Sequence, residues 1–429
     1  MKRKYVWRTL ALLLTVLIIA VIWLILGNRN PDLDQPSVPP ANPDEQIRQG
    51  EYLARIGNCM SCHTARGGES YAGGRAVPTP FGTIYTSNLT PDAETGLGKW
   101  SNADFWQAMH DGKSKDGSLL YPAFPYTNYT RVTRADSDAI FAYLQTLPTV
   151  QKKNIAPELR FPYDNRALLY VWRALYFRPG QYTNDDKQSV EWNRGAYLAQ
   201  GLGHCSACHS PRDSFGGTDV KSELGGGMIP VLNWYAPPLN GDRETSLGNW
   251  EVEHLAALMK TGVAPQRSVS GPMAEVVAGS LQHMHKDDAH ALAGYLKSLP
   301  QQSAAPLVAA ETMREESKQA MIDAGAKLYE DQCISCHQAS GKGVPSIYPA
   351  LAGSRAITTP VATNAIRMVL YGGYAPSTGG NPRPYGMPPF GQSMTDEEVA
   401  AVVTYIRNAW GNQGTAILPN DVNRYRSRH

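Results

Sequence analysis

All six cysteines of this 429-residue chain fall in three short strings. They read Cys59-Met-Ser-Cys62-His63, Cys205-Ser-Ala-Cys208-His209 and Cys333-Ile-Ser-Cys336-His337. Each is C-x-x-C-H, the pattern for covalent attachment of a c-type haem. Two thiols on one helical turn each bond a porphyrin vinyl group, and the adjacent His is then aimed at the iron. A zinc site would gather four ligands per metal. A thioredoxin-like C-x-x-C gives no reason for a His after every pair, and disulfides would not confine every cysteine to one repeated string. The expectation is three covalently bound haem c groups on Cys59, Cys62, Cys205, Cys208, Cys333 and Cys336. His63, His209 and His337 are the expected iron ligands. Such attachment also demands an export compartment.

The N-terminus agrees. A basic flank, MKRKYVWR, precedes an uncharged run from Thr9 to Leu26, which as a helix covers about 27 Å and nearly matches a bilayer core. The run is longer than a signal-peptide core and lacks a small-residue cleavage site, so an uncleaved anchor is expected. Its basic flank would stay in the cytoplasm, leaving everything after Leu26 outside it. The expected location is the bacterial inner membrane, with the haem domains facing the periplasm. A net charge of only +2, with four basic residues in the first eight, gives no electrostatic case for nucleic acid. The 39 Gly and 31 Pro imply short elements joined by many loops.

Sequence repeats surround the motifs. GEYLARIGNCMSCH, GAYLAQGLGHCSACH and GAKLYEDQCISCH open with Gly50, Gly195 and Gly325. DSDAIFAYLQTLP, DDAHALAGYLKSLP and DEEVAAVVTYIRNAW carry Tyr143, Tyr295 and Tyr405 on an apolar face. A Gly on the first helix lets that aromatic approach closely, so the two helices of a module are expected to cross. Thr95 to Gly112 also aligns without a gap with Thr245 to Gly262, pairing Met109 with Met259 and His110 with Lys260.

These modules resemble class I c-type cytochromes. WNRGAYLAQGLGHCSACHSPRD, SGPMAEVVAGSLQH and MPPFGQSMTDEEVAAVVTYIRNAWGN resemble, in order, the tri-haem cytochrome c subunit of membrane-bound bacterial dehydrogenases acting on alcohols, aldehydes, gluconate or sugars. The resemblance covers about Gln46 to Asn412. It implies a mainly α fold of three consecutive class I cytochrome c-like domains after one N-terminal transmembrane helix. The corresponding division is anchor 1–30, Pro-rich linker 31–45, domain one 46–150, connector 151–186, domain two 187–302, linker 303–319, domain three 320–412 and tail 413–429. The Pro-rich linker is expected to stand domain one off the membrane. The aromatic connector has three readings: docking a partner, lying near the membrane, or packing between domains.

Electron-transfer haems commonly pair the His with a Met on the opposite face, and thioether ligation raises the potential. That Met must come from the loop before each last helix. Met387, before Pro388-Pro389, is the candidate in domain three, and Met273 in SGPMAEV in domain two, with Met284 a nearer residue that could instead be packing. In domain one the loop is YPAFPY. In the family this loop resembles YPAMPY, its Met serving as ligand, and here Phe124 stands in that place. His110 is the chemically attractive substitute, with Met109, Asn128 and Met60 as weaker ones; otherwise the ligand comes from elsewhere in the protein, or the iron is five-coordinate or water-bound. His204 reads as a surface residue or a haem-edge neighbour, and His283, His285 and His290 as a solvated helix start.

No dinucleotide fingerprint or catalytic nucleophile constellation is present. The resemblance implies a non-catalytic subunit that takes electrons from a flavin, quinone-cofactor or molybdenum dehydrogenase. It would pass them to ubiquinone or a terminal oxidase of the respiratory chain. The rival reading is a peroxidase-like multihaem enzyme reacting at an open first haem, with His110 as its acid or base.

Overall fold

The computed structural model describes residues 31–426 apart from 38, 241–246, 248, 249, 266 and 301–312, with a few positions between 8 and 23. Most of the apolar run 9–26 thus lies outside the described residues. Among the described residues no helix is long and apolar enough to cross a membrane.

Three helix pairs dominate the architecture. Helix α1 (Pro43–Ile56) precedes the first C-x-x-C-H and packs on α3 (Arg134–Leu144), with α2 (Asn102–Asp111) between them in sequence. In the second module α5 (Val190–Gln200) packs on α8 (Lys286–Ser298), and in the third α9 (Glu315–Gln332) packs on α11 (Asp396–Asn408). Local sequence starts these helices. The Asn42 side chain accepts from the amides of Asp44 and Glu45 with Pro43 next in line, and Ser189 caps α5. Ser101 with Asp104, and Thr395 with Glu398, form reciprocal capping boxes on α2 and α11.

The pairs touch at glycine, as the repeat predicts. A methyl group on Gly50, Gly195 or Gly325 would overlap the carbonyl of Ala139, Ala291 or Ala401 respectively. It would also stand 3.0, 2.7 or 2.7 Å from the Cβ of Tyr143, Tyr295 or Tyr405. Strands are short. The longest sheet joins β1 (Ala76–Thr79), β2 (Gly82–Tyr85) and β3 (Glu158–Leu159) in antiparallel order.

Modules one and two share one continuous apolar core, from Leu53 and Ile140 through Leu198 to Leu292 and Leu296. Module three has its own, centred on Tyr329, Val402 and Ile406. The connector packs and pairs. Its β3 extends the module-one sheet, and α4 (Leu168–Tyr176) buries Arg173 against Asp111 at the end of α2, Nη2 to Oδ1 2.9 Å. The opposite face of α4 leaves Leu168, Tyr170, Val171 and Leu175 exposed.

Segments outside the helix pairs pack against them. The Pro-rich segment bonds to module one: the Trp106 indole donates to the Asp32 carbonyl at 3.3 Å, Ser37 to Asp138 at 2.6 Å and Arg134 to the Gln35 carbonyl at 2.8 Å. The linker expected to 319 already enters α9 at Glu315. The tail folds back as α12 (Pro419–Arg426), with Val422 fully buried and Arg426 bonded to Asp396 at 2.7 Å.

Candidate haem-attachment sites

Each C-x-x-C-H closes a single helical turn. The amides of His63, His209 and His337 donate to the carbonyls of Cys59, Cys205 and Cys333 at 2.9, 2.9 and 3.0 Å. All six cysteines are free of disulfides. Burial pushes the first thiol of each string up, to about 12 for Cys59 and Cys205 and about 11 for Cys333. Among the described residues no cluster suits a metal held by side chains alone.

The three histidines share one orientation. His63 Nδ1 lies 2.7 Å from the Ser87 carbonyl, His209 Nδ1 2.6 Å from that of Pro237, and His337 Nδ1 3.1 Å from that of Pro349. A carbonyl only accepts, so Nδ1 carries the proton and Nε2 keeps its lone pair for a metal. Burial lowers all three imidazole pKa values, against the carbonyl bond that raises them, which favours the neutral, ligating form. These residues fit a covalently held haem iron: thiols on one turn and an imidazole with one fixed tautomer.

A framework not foreseen from the sequence holds each acceptor carbonyl in place. Gly73, Gly226 and Gly343, all at positive φ, donate their amides to the carbonyls of His63, His209 and His337. They lie against the acceptor segments, so a side chain there would strike Ser87, Pro238 or Pro349. Leu89, Leu239 and Leu351, each two residues past an acceptor, donate to the carbonyls of Tyr71, Leu224 and Gly341, which also have positive φ. The interval from His to Gly differs in every module, so no fixed spacing marks it in the sequence.

Met273 sits at the start of α7 (Pro272–Gly279), half-buried against the shared core. Met387 lies in a two-residue strand paired with Gly373–Tyr374, half-buried on the module-three core. Met284 is buried in the core, as a packing residue would be.

His110, the candidate substitute ligand, is packed within module one. Its ring is fully buried and stacked on Trp106 at 4.1 Å, with Nε2 3.4 Å from Asp32 and Nδ1 3.5 Å from the Thr130 hydroxyl. The surface reading of His204 fails, since its ring meets Tyr129 edge-on at 5.7 Å between modules one and two. His285 stacks on Tyr52 at 3.9 Å.

Modules one and two interlock through their motifs. The Asn128 amide, four residues past Phe124, donates to Ser206 inside the second motif at 2.8 Å. Reciprocally, the Ser280 hydroxyl donates to the Ile56 carbonyl at 2.7 Å, and Gly279 lies against Ser61 inside the first motif. Module two also holds module three, through paired bonds between Tyr235 and Asn364 of 2.9 and 2.7 Å.

The cytochrome c family model matches residues 47–148 and 322–410. Module two falls outside that match, although it repeats the same helix pair and His geometry. Among known proteins, the chain is 36% identical to the alcohol dehydrogenase (quinone) cytochrome c subunit of Gluconacetobacter polyoxogenes, over 89% of this chain and 84% of that protein. It is 36% identical to the gluconate 2-dehydrogenase cytochrome c subunit of Pantoea cypripedii, over 87% and 88%. Identity to the fructose dehydrogenase cytochrome subunit of Gluconobacter japonicus is 33%, over 92% and 85%. With its His-presenting motif turns and this extent of similarity, the chain belongs to the family of cytochrome c subunits of dehydrogenases.

Proposed function

We propose that this chain is a tri-haem cytochrome c that takes electrons from the catalytic subunit of a dehydrogenase and passes them to ubiquinone or another respiratory acceptor. The observation that carries the reading is the threefold repetition of His Nδ1 bonded to a backbone carbonyl, at 2.7, 2.6 and 3.1 Å. Covalent haem supplies reversible one-electron chemistry when bound. The protein's own part is to fix three imidazoles, to offer Met273 and Met387 as opposing ligands, and to hold the modules together. Module two touches both neighbours, which supports a series running through the second haem. The run 9–26 serves in this reading as the anchor, with the modules on the periplasmic face of the bacterial inner membrane. Because residues from Pro31 onward pack on module one, that module would sit close to the bilayer.

The burial of His110 against Trp106, with its ring nitrogens toward Asp32 and Thr130, speaks against it as the acid–base residue of the peroxidase-like rival. The test is to express the full chain with a c-type maturation system, count haem as the pyridine haemochrome, and mix reduced protein anaerobically with ubiquinone-1. Three haems per chain and reoxidation by the quinone are expected. Fewer than three haems would refute the tri-haem reading, and unchanged reduced bands would refute a direct quinone acceptor.

A further inference from the structure

The loop that replaces the expected Met is held firmly. The Phe124 amide donates to the Tyr121 carbonyl at 3.0 Å, and the Tyr126 amide to the Phe124 carbonyl at 2.8 Å. Tyr126 is fully buried, edge-on to Phe177 at 5.1 Å, with the Arg173 guanidinium 5.5 Å from its ring. Phe124 itself packs on the shared core beside Tyr129, ring centroids 5.2 Å apart. Tyr129 is buried, and its hydroxyl donates to the Gly57 carbonyl, just before the first motif, at 3.4 Å.

Among the described residues, the four candidates to replace the Met are placed elsewhere. His110 is sealed between Trp106, Asp32 and Thr130. Met109 is in the core, as is its counterpart Met259. Asn128 spends its amide on the Gln200 carbonyl and the Ser206 hydroxyl at 3.0 and 2.8 Å. Met60 lies exposed within the motif turn, on the His63 stretch of chain. A phenyl ring has no lone pair to give iron, and an axial position with no protein ligand is open to an exogenous one.

We propose that the iron bound by His63 has no second side-chain ligand, and that the Phe124 side of module one is a binding site for small neutral diatomic molecules. This rests on the haem reading above. The wall is apolar on the Phe124 side, and the nearby Tyr129 hydroxyl is engaged with Gly57. Such a site favours neutral π-acceptor ligands of ferrous iron over anions.

The test is carbon monoxide titration of the reduced full-length protein, with electron paramagnetic resonance of the oxidised form and the haemochrome count as reference. One carbon monoxide per three haems and one high-spin ferric signal are expected. Phe124→Met should abolish both, converting the signal to low spin, and His110→Ala should leave the stoichiometry at one. Three low-spin signals with no uptake by wild type would overturn the inference while leaving the haem reading intact. So would uptake that persists undiminished in Phe124→Met, because the ligand would then be binding at another haem. A haem count below three would overturn both.

Discussion

At the scale of single residues, the chain uses glycine to bring backbones together and carbonyls to aim imidazoles. Gly195 is the clearest case, because an added methyl would meet the Ala291 carbonyl and the Tyr295 Cβ at once. Neither neighbour is the free end of a flexible side chain, so the helices themselves must part. Gly195→Ala is expected to lower stability by about 1–3 kcal/mol or more through overpacking. The midpoint of urea unfolding measures this, and an unchanged midpoint would mean that α5 and α8 separate at no cost. These crossing glycines were visible in the sequence, since each opens a repeated string. Gly73, Gly226 and Gly343 were not, because the loops before them differ in length.

At the scale of elements, α4 shows how a connector becomes part of a domain. Arg173 is fully buried and donates to both the side chain and the backbone carbonyl of Asp111, with Phe177 4.5 Å beneath its guanidinium. Removing Arg173 leaves the buried Asp111 carboxylate with Lys113, 2.6 Å from Oδ2, as a remaining partner, so the loss stays below the about 3–5 kcal/mol of a fully stranded charge. Arg173→Met should therefore lower the thermal midpoint markedly and expose the connector to limited proteolysis. Wild-type resistance in that variant would show that the apolar contacts of α4 suffice. The helix pattern was legible as aromatic and apolar, but which face would be buried was not. That choice depends on Asp111, which lies far away in sequence and reaches Arg173 only once α2 is in place. The same holds for α12, whose Thr363–Tyr425 and Asp396–Arg426 bonds link it to α11 and to the helix Thr363–Tyr371.

At the scale of the whole molecule, the cores divide the chain unevenly. Modules one and two share apolar packing and the Tyr52–Asp288–Arg194 bridge, with the Tyr52 hydroxyl 2.5 Å from Asp288 and Arg194 Nη2 2.7 Å from the same oxygen. Modules two and three have separate cores and meet through hydrogen bonds such as those of Tyr235 to Asn364 and Thr378 to Thr261. Calorimetry of the holoprotein should show two transitions, one for modules one and two together and one for module three. A single transition, or three of similar size, would contradict this division. Functionally, the interlock places the first two motif turns side by side, with Tyr129 and His204 between them. In the proposed tri-haem reading, a short, fixed separation would suit transfer between the haems of these two modules.

The sequence by itself determined the chemistry of this protein: six cysteines in three identical patterns, a His after each, and glycines where helices must cross. Those features are local, since a covalent attachment turn needs only a few adjacent residues and a helix crossing only one small one. Tertiary structure decided what depends on distant partners. It set His110 against Asp32 and Trp106, drew the Pro-rich segment and the C-terminal tail onto the modules, and fused two modules into one core. Each outcome rests on burying a polar or apolar group against residues far off in the chain, and short-range pattern carries no record of which distant group will be there.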